Sequence, residues 1–322
     1  MTAVRVAVVD IGTNSTRLLV ADVARDGALV EVERRTKVTR LGDRLEETGV
    51  LDDAAMERVL ATLAEYRALV DARGAQRTVA VLTSAVRDAA NGDEFLARVR
   101  THAGALDARV IGGDEEARLT FRGATSERAP GDMTPTVVID VGGGSTELVI
   151  GSGDEVSFHV STQAGVVRHT ERHLATDPPT PAEVAALASD VRSIFERAVP
   201  VEAREAPRAA IAVAGTAMSL GAIDLDLECS SANEIHGHVV SLATCRRILE
   251  RLASLPETQR RAVPGLHPDR APTIVAGVVM VIQALELFGL DATAVSDHDI
   301  LRGAALEVVH RGPASGAVEP GT

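Results

Sequence analysis

Residues 137–150 read VVIDVGGGSTELVI, and the chemistry of this stretch lies in its centre. Asp140 ends an apolar run, Gly142, Gly143 and Gly144 follow, and Ser145, Thr146 and Glu147 lead into a second run. A tight hairpin turn needs only two special residues. Three glycines therefore point to a backbone that another group must approach closely, because glycine alone presents its N–H without a Cβ in the way. Short hydroxyl side chains add donors, and an acid on each side adds acceptors. Donors around a small space, with carboxylates beside it, suit a phosphoryl group and a hydrated hard cation such as Mg²⁺.

The same pattern occurs earlier. Residues 8–20 read VVDIGTNSTRLLV, and with Asp10 set under Asp140 the Asp, Gly, Ser, Thr and one Leu coincide at an offset of 130 residues. Gly12, Thr13, Asn14 and Ser15 thus form a second candidate phosphate loop, and Asp10 a second candidate metal acid. A repeat spaced by about one domain length implies two domains opening on the same hairpin. Two such turns facing each other would clamp a phosphate chain from both sides. Arg17 follows the first turn directly, and Arg87 in TSAVRDA sits just past a strand end, where a guanidinium can hold a terminal phosphate bidentately. RRTKVTRLG gathers Arg34, Arg35, Lys37 and Arg40, which reads equally as a polyanion track or a solvated strand face. DEEARL, after Gly112 and Gly113, opens a helix with acids that by themselves are ordinary N-terminal residues. His236 and His238 have a metal-compatible spacing, although local packing explains them better.

The elements that must position these residues follow from periodicity. Strands are expected over 4–10, 28–34 and 155–165, a strand running into a loop and helix over 78–89, a long amphipathic helix from Leu51 with a glycine stop, and helices near 166–174 and 181–197. Residues 208–223 read as strand, turn and helix, 239–253 and 270–287 as helices, and 292–309 as a strand and a closing helix. The segment 126–136, with Pro and Gly, is the expected crossing between domains. The class is α/β. The expected domains are 1–128 and 129–311, with 312–322 as a loose tail.

Composition narrows the function. With 322 residues, 45% apolar and 25% charged, the chain has the balance of an ordinary globular protein. A net charge of −13 argues against non-specific binding to nucleic acid or to an anionic membrane. Lys37 is the sole lysine, so phosphate contacts must fall to Arg, backbone amides or metal. Cys229 and Cys245 fit no zinc or redox spacing, which with the lack of a signal-like start leads to a cytoplasmic expectation. The apolar run 271–284 is too short to cross a membrane and reads as a buried helix.

VVDIGTNSTRLLV, TSAVRDA, GGDEEARL and VIDVGGGSTELVI, in this order and spacing, resemble the exopolyphosphatase and guanosine pentaphosphate phosphatase family, Ppx/GppA. AVAGTAMSL, EIHGHVVSL, HPDRAPTIVAG and VSDHDILRGA resemble its later blocks, so nearly the whole chain is covered. The resemblance implies two ribonuclease-H-like domains of the actin, Hsp70 and sugar-kinase superfamily, with an active-site cleft between them. It implies hydrolysis of the terminal phosphate of inorganic polyphosphate, or of pppGpp, with Mg²⁺ or Mn²⁺, stimulation by K⁺, and a homodimer. By the same resemblance Glu116 is the base that orients or deprotonates the attacking water, Glu147 a second carboxylate on water or metal, and Asp140 a metal acid. Gly12–Ser15 and Gly142–Ser145 become the phosphate loops and Arg87 a phosphate ligand. Longer family members continue into a helical HD-type region beyond the equivalent of residue 322, which turns the expectation toward short chains. The competing readings are an acetate- or sugar-kinase-like phosphotransferase, and a polyphosphate- or (p)ppGpp-binding regulator without turnover.

Overall fold

The computed structural model describes residues 3–102, 107–227 and 232–310; Cys229 and the expected tail at 312–322 lie outside them. The chain divides into two units. One comprises Met1–Gly112 with Ile300–Thr322, and the other Gly113–Asp299.

The first unit holds one five-stranded sheet in the order β3-β2-β1-β4-β5. Its strands are β1 (Val4–Ile11), β2 (Ser15–Val23), β3 (Leu29–Val38), β4 (Arg77–Leu82) and β5 (Asp107–Val110). β1, β2 and β3 run antiparallel in sequence, while β4 and β5 continue parallel to β1. The helices are α1 (Leu45–Thr48), α2 (Asp53–Arg73), α3 (Ser84–Asp88), α4 (Gly92–His102) and, from the chain's end, α14 (Ile300–His310). The caps of α2 are those its sequence announces. Asp52 accepts a hydrogen bond from the Ala55 N–H, and Gly74 ends the helix at φ 66°. Strand alternation sorts the core. Ala7, Val9, Ile11, Leu18 and Val20 pack with residues of α2 and α4 such as Met56, Leu63 and Phe95. Val6, Val8 and Leu19 point to the opposite face of the sheet, where α14 packs on β1 and β2.

The second unit repeats the plan with six strands ordered β10-β11-β9-β6-β7-β8. These are β6 (Thr136–Val141), β7 (Thr146–Ser152), β8 (Glu155–Thr162), β9 (Ala209–Val213), β10 (Val239–Ser241) and β11 (Ala292–Val295). The antiparallel β6-β7-β8 meander and the parallel β6, β9 and β11 match β1-β2-β3 and β1, β4 and β5 of the first sheet. The helices are α5 (Gly113–Ala124), α6 (Val166–His173), α7 (Pro181–Ala198), α8 (Val201–Arg204), α9 (Ala214–Asp224), α10 (Ala232–Ile235), α11 (Leu242–Ala253), α12 (Glu257–Arg260) and α13 (Ile274–Leu287). α13 is buried on all sides from Ile274 to Leu285. Among the described residues no helix is long and apolar enough to cross a membrane. Val137, Ile139, Leu148 and Ile150 join the large core that includes residues of α7, α9, α11 and α13. Val138 and Val149, one residue out of phase, meet Ala117, Phe121 and Ala124 of α5 on the other face.

Two sequence expectations meet differences, and a third is narrowed. α5 clusters with the second unit, so the chain divides at Gly112–Gly113 and the stretch 126–136 connects two elements of one unit. The physical reason is the docking of Ala117, Phe121 and Ala124 on β6 and β7. Residues 239–241 form a strand rather than a helical turn. Ser241 then caps α11, its side chain accepting from the Thr244 N–H. The basic stretch 34–40 runs along β3 and beyond it, and Arg34, Arg35 and Lys37 pair with Glu31, Glu33 and Glu65.

Candidate active site

The two repeated turns close in the same way. The Gly12 N–H donates to the Ser15 carbonyl at 3.0 Å, and the Gly142 N–H to the Ser145 carbonyl at 2.9 Å. A Cβ at Gly142 would stand 3.0 Å from the Ser145 carbonyl oxygen, so the turn's own closure leaves little room for one. Each turn is then fastened from behind. In the first, the Asn14 carbonyl accepts from the N–H groups of Thr39 and Arg40, and the Thr13 carbonyl from that of Gly42. Tyr66, 1% exposed, donates its hydroxyl to the Thr16 carbonyl at 2.9 Å. Burial pushes that phenol up to about 12, which keeps it a neutral donor. In the second turn the Gly142 and Gly143 carbonyls accept from Val166 and Val167 in the first turn of α6. Thr146 donates its hydroxyl to the Ala164 carbonyl. Gly165 packs so tightly on Gly144 that a Cβ there would lie 2.1 Å from the Gly144 carbonyl carbon.

In the first unit β1 and β4 are parallel neighbours, so the turn after β1 and the start of α3 after β4 lie at the same sheet edge. Thr13 Oγ1 and Ser84 Oγ are 3.0 Å apart and hydrogen-bonded. Arg87, on the same short helix, donates from Nη1 to the Ile111 carbonyl at 3.0 Å. Asp10 and Arg17 are direct cross-strand partners, and Nε and Nη2 of Arg17 reach Asp10 Oδ2 at 2.9 and 2.6 Å. Asp10 is 3% exposed. Its charge is thus met inside the protein by a guanidinium.

The matching position of the second turn carries the opposite sign. Glu147 stands directly across from Asp140, where the first turn has Arg17 across from Asp10. Glu147 Oε1 accepts from Ser145 Oγ at 2.6 Å and from Ser161 Oγ at 2.7 Å. Two carboxylates in direct cross-strand register repel. Alternation sends Asp140 and Glu147 to the same face as Val138 and Val149, the face covered by α5. Glu116 lies in the first turn of α5, next to Ala117, which packs on that face. The helix starts beside His159, whose Nε2 is 2.7 Å from Asp114 Oδ1, and runs past Gly151, where Phe121 fills the space of an absent Cβ. The second unit therefore brings Asp140 and Glu147 to one face of one sheet, beside the glycine turn, and α5, whose first turn carries Glu116, packs on that face.

A profile of the Ppx/GppA phosphatase family matches residues 19–311. This chain belongs to the Ppx/GppA phosphatase family. Its similarity to the exopolyphosphatase 2 of Mycobacterium tuberculosis is 39% identity over 319 residues, which is 96% of this chain and 99% of that protein. The crystal structure of the Aquifex aeolicus family member superposes with a TM-score of 0.82 at 29% identity, covering 97% of this chain and all of that one. An exopolyphosphatase from Cytophaga hutchinsonii gives 0.82 at 25% identity over 95% of this chain and 98% of its own. The α/β class read from the strand and helix pattern, with the two ribonuclease-H-like domains that the family resemblance implies, is the fold of this Ppx/GppA chain.

The donor set of this candidate site is that of a hard divalent cation. Asp140 and Glu147 are cross-strand partners on one face, and a cation held there would relieve their mutual repulsion. The pair at Asp10 has its cation in Arg17. Three contributors escaped the sequence reading. Ser84 and Ser161 are ordinary hydroxyls whose value comes from cross-sheet neighbours, although the Glu147–Ser161 register follows once β7 and β8 are paired. Gly165 looks like a simple helix start until its closeness to Gly144 is seen. His236 and His238 part company: His238 pairs with Asp224, and His236 lies against Glu127, Asp297 and the ring of His298.

Proposed function

We propose that this Ppx/GppA phosphatase is an exopolyphosphatase that removes the terminal phosphate of short inorganic polyphosphate by attack of water. The observation that carries the reading is the pairing of Asp140 and Glu147 on one sheet face beside the Gly142–Gly144 turn, a face on which the helix bearing Glu116 packs. The 39% identity to an exopolyphosphatase over nearly the full length supports it. The Gly143 and Gly144 amides bind phosphate oxygens, and Thr13, Asn14, Ser15 and Arg87 do so in the first unit. Gly12 and Gly142 instead spend their N–H groups closing the turns, Ser145 donates to Glu147, and the buried Thr146 donates to the Ala164 carbonyl. Glu116 orients a water and takes its proton as the oxygen attacks the terminal phosphorus. The bond to the bridging oxygen breaks, and the shortened chain leaves with that oxygen. Phosphoryl transfer asks mainly for positioning and charge neutralisation, so one well-placed carboxylate suffices as base. Mg²⁺ or Mn²⁺ held by Asp140 and Glu147 would supply charge neutralisation on the phosphate oxygens. Asp10 keeps Arg17 in place on the first sheet, a positioning role that takes it out of the metal set.

The test is phosphate release from polyphosphates of defined short and long length, pppGpp and ATP, each with Mg²⁺. Release from short polyphosphate that is fastest of the set supports the proposal. Release from pppGpp alone moves the substrate within the family, and release from none of them removes the hydrolase reading.

A further inference from the structure

α6 carries His169 and His173 four residues apart, on one helix face, and α7 packs against it with Asp190. His169 is fully buried. Its Nδ1 faces the Gly165 carbonyl at 3.2 Å, and a carbonyl only accepts, so the proton of this neutral ring belongs on Nδ1. Burial in turn depresses the basicity of the ring and disfavours a second proton. The Nε2 lone pair is then buried without a hydrogen-bond partner and points at Asp190 Oδ2, 3.6 Å away. A second imidazole converges on the same oxygen, with His173 Nε2 at 2.8 Å. Acceptor faces acceptor, and the other tautomer only moves the mismatch to the Gly165 carbonyl. A proton on Nε2 does not repair it either, because 3.6 Å is too long for a hydrogen bond.

A cation repairs it. The ligand atoms of the three residues all lie within 4.8 Å of one another. Two imidazole nitrogens and one carboxylate oxygen are the donor set of Zn²⁺ or a similar first-row ion rather than of Mg²⁺. We propose that His169, His173 and Asp190 form a transition-metal site that ties α6 to α7, separate from the hard-cation carboxylates Asp140 and Glu147. Arg172 Nη1, 3.6 Å from Asp190 on a half-exposed side chain, has solvent to swing into when the ion enters. The site also has a consequence for the phosphate loop. The Val166 and Val167 amides of α6 hold the Gly142 and Gly143 carbonyls, so an ion that fixes this helix stiffens the support of the second turn. The other His–carboxylate group is the weaker candidate: His236 Nδ1 stands 2.7 Å from Asp297 and its Nε2 3.2 Å from Glu127, so both ring nitrogens already face a carboxylate.

The full chain is stripped with chelator and dialysed against Zn²⁺ alone at micromolar concentration, and bound metal is counted. Co²⁺ substitution then reports the geometry by its visible absorption. One Zn²⁺ per chain is expected, with affinity reduced by about 100-fold in His173→Ala and Asp190→Asn and unchanged in His236→Ala. The thermal unfolding temperature rises with Zn²⁺ in the wild type and not in His173→Ala. These two positions are tested because His169, being fully buried, risks misfolding on substitution. No uptake by folded wild type, or uptake that survives in both variants, overturns the site, as does uptake lost in His236→Ala alone. None of these readouts depends on phosphate release, so they stand or fall apart from the hydrolase reading.

Discussion

Asp10 and Asp140 hold the same position in two copies of one turn, yet their cross-strand neighbours have opposite charge. Asp10 meets Arg17 at 2.6 Å in a nearly closed environment. Removing the guanidinium leaves a desolvated carboxylate. Arg17→Gln is therefore expected to destabilise the chain by about 3 kcal/mol in denaturant unfolding. The double variant with Asp10→Asn should recover much of that loss, because the two effects couple. Asp140 faces Glu147 instead. Asp140→Asn removes one of the two facing charges and so should weaken the response to a cation. Wild type should gain stability from Mg²⁺ and the variant little or none. Thermal melts with and without Mg²⁺ check this. Wild type rising and the variant standing still is the expected pair of curves.

Among elements, α6 does more than cover a core. Its first N–H groups bond the carbonyls of the glycine turn, and Gly165 at its start lies against Gly144. A methyl group at residue 165 has no space without moving backbone, since the nearest atoms are the Gly144 carbonyl carbon and the Gly143 oxygen at 2.1 and 2.4 Å. Gly165→Ala is thus expected to cost at least ~1 kcal/mol of stability and to lower phosphate release, by displacing the loop. A variant with wild-type kinetics would show that the turn does not depend on this contact. The glycine run at 142–144 therefore has two causes. One is the closeness required inside the turn and against α6. The other, access for phosphate oxygens, belongs to the functional proposal.

Across the whole molecule, what was legible in the sequence is what is encoded locally. Asp, Gly and Ser-Thr at matched spacing specify a turn wherever they occur, so the pairing of residues 10–17 with 140–147 could be read directly. The caps of α2 and the buried run of α13 were equally visible. Long-range partners were not. α14 shows an apolar face in its sequence, but nothing in it says that the face returns to β1 and β2 of the first unit, nearly 300 residues back. α5 follows the first unit's last strand without a break in pattern, and it joins the second unit because Phe121 and Ala117 find β6 and β7. Arg17 looked like a phosphate ligand because its cross-strand partner was out of sight, whereas pairing β1 with β2 in register reveals Asp10.

The packing of α5 on the second sheet matters most for Glu116, since the proposed base lies in the first turn of the helix that covers the face of Asp140 and Glu147. The most direct measurement is phosphate release from short polyphosphate with Mg²⁺ by wild type and Glu116→Gln, with substrate binding measured on both. Turnover should fall by about 10²–10⁴-fold with binding retained, because the amide keeps the shape and loses the base. Turnover within a few-fold of wild type in a folded, substrate-binding Glu116→Gln would contradict it.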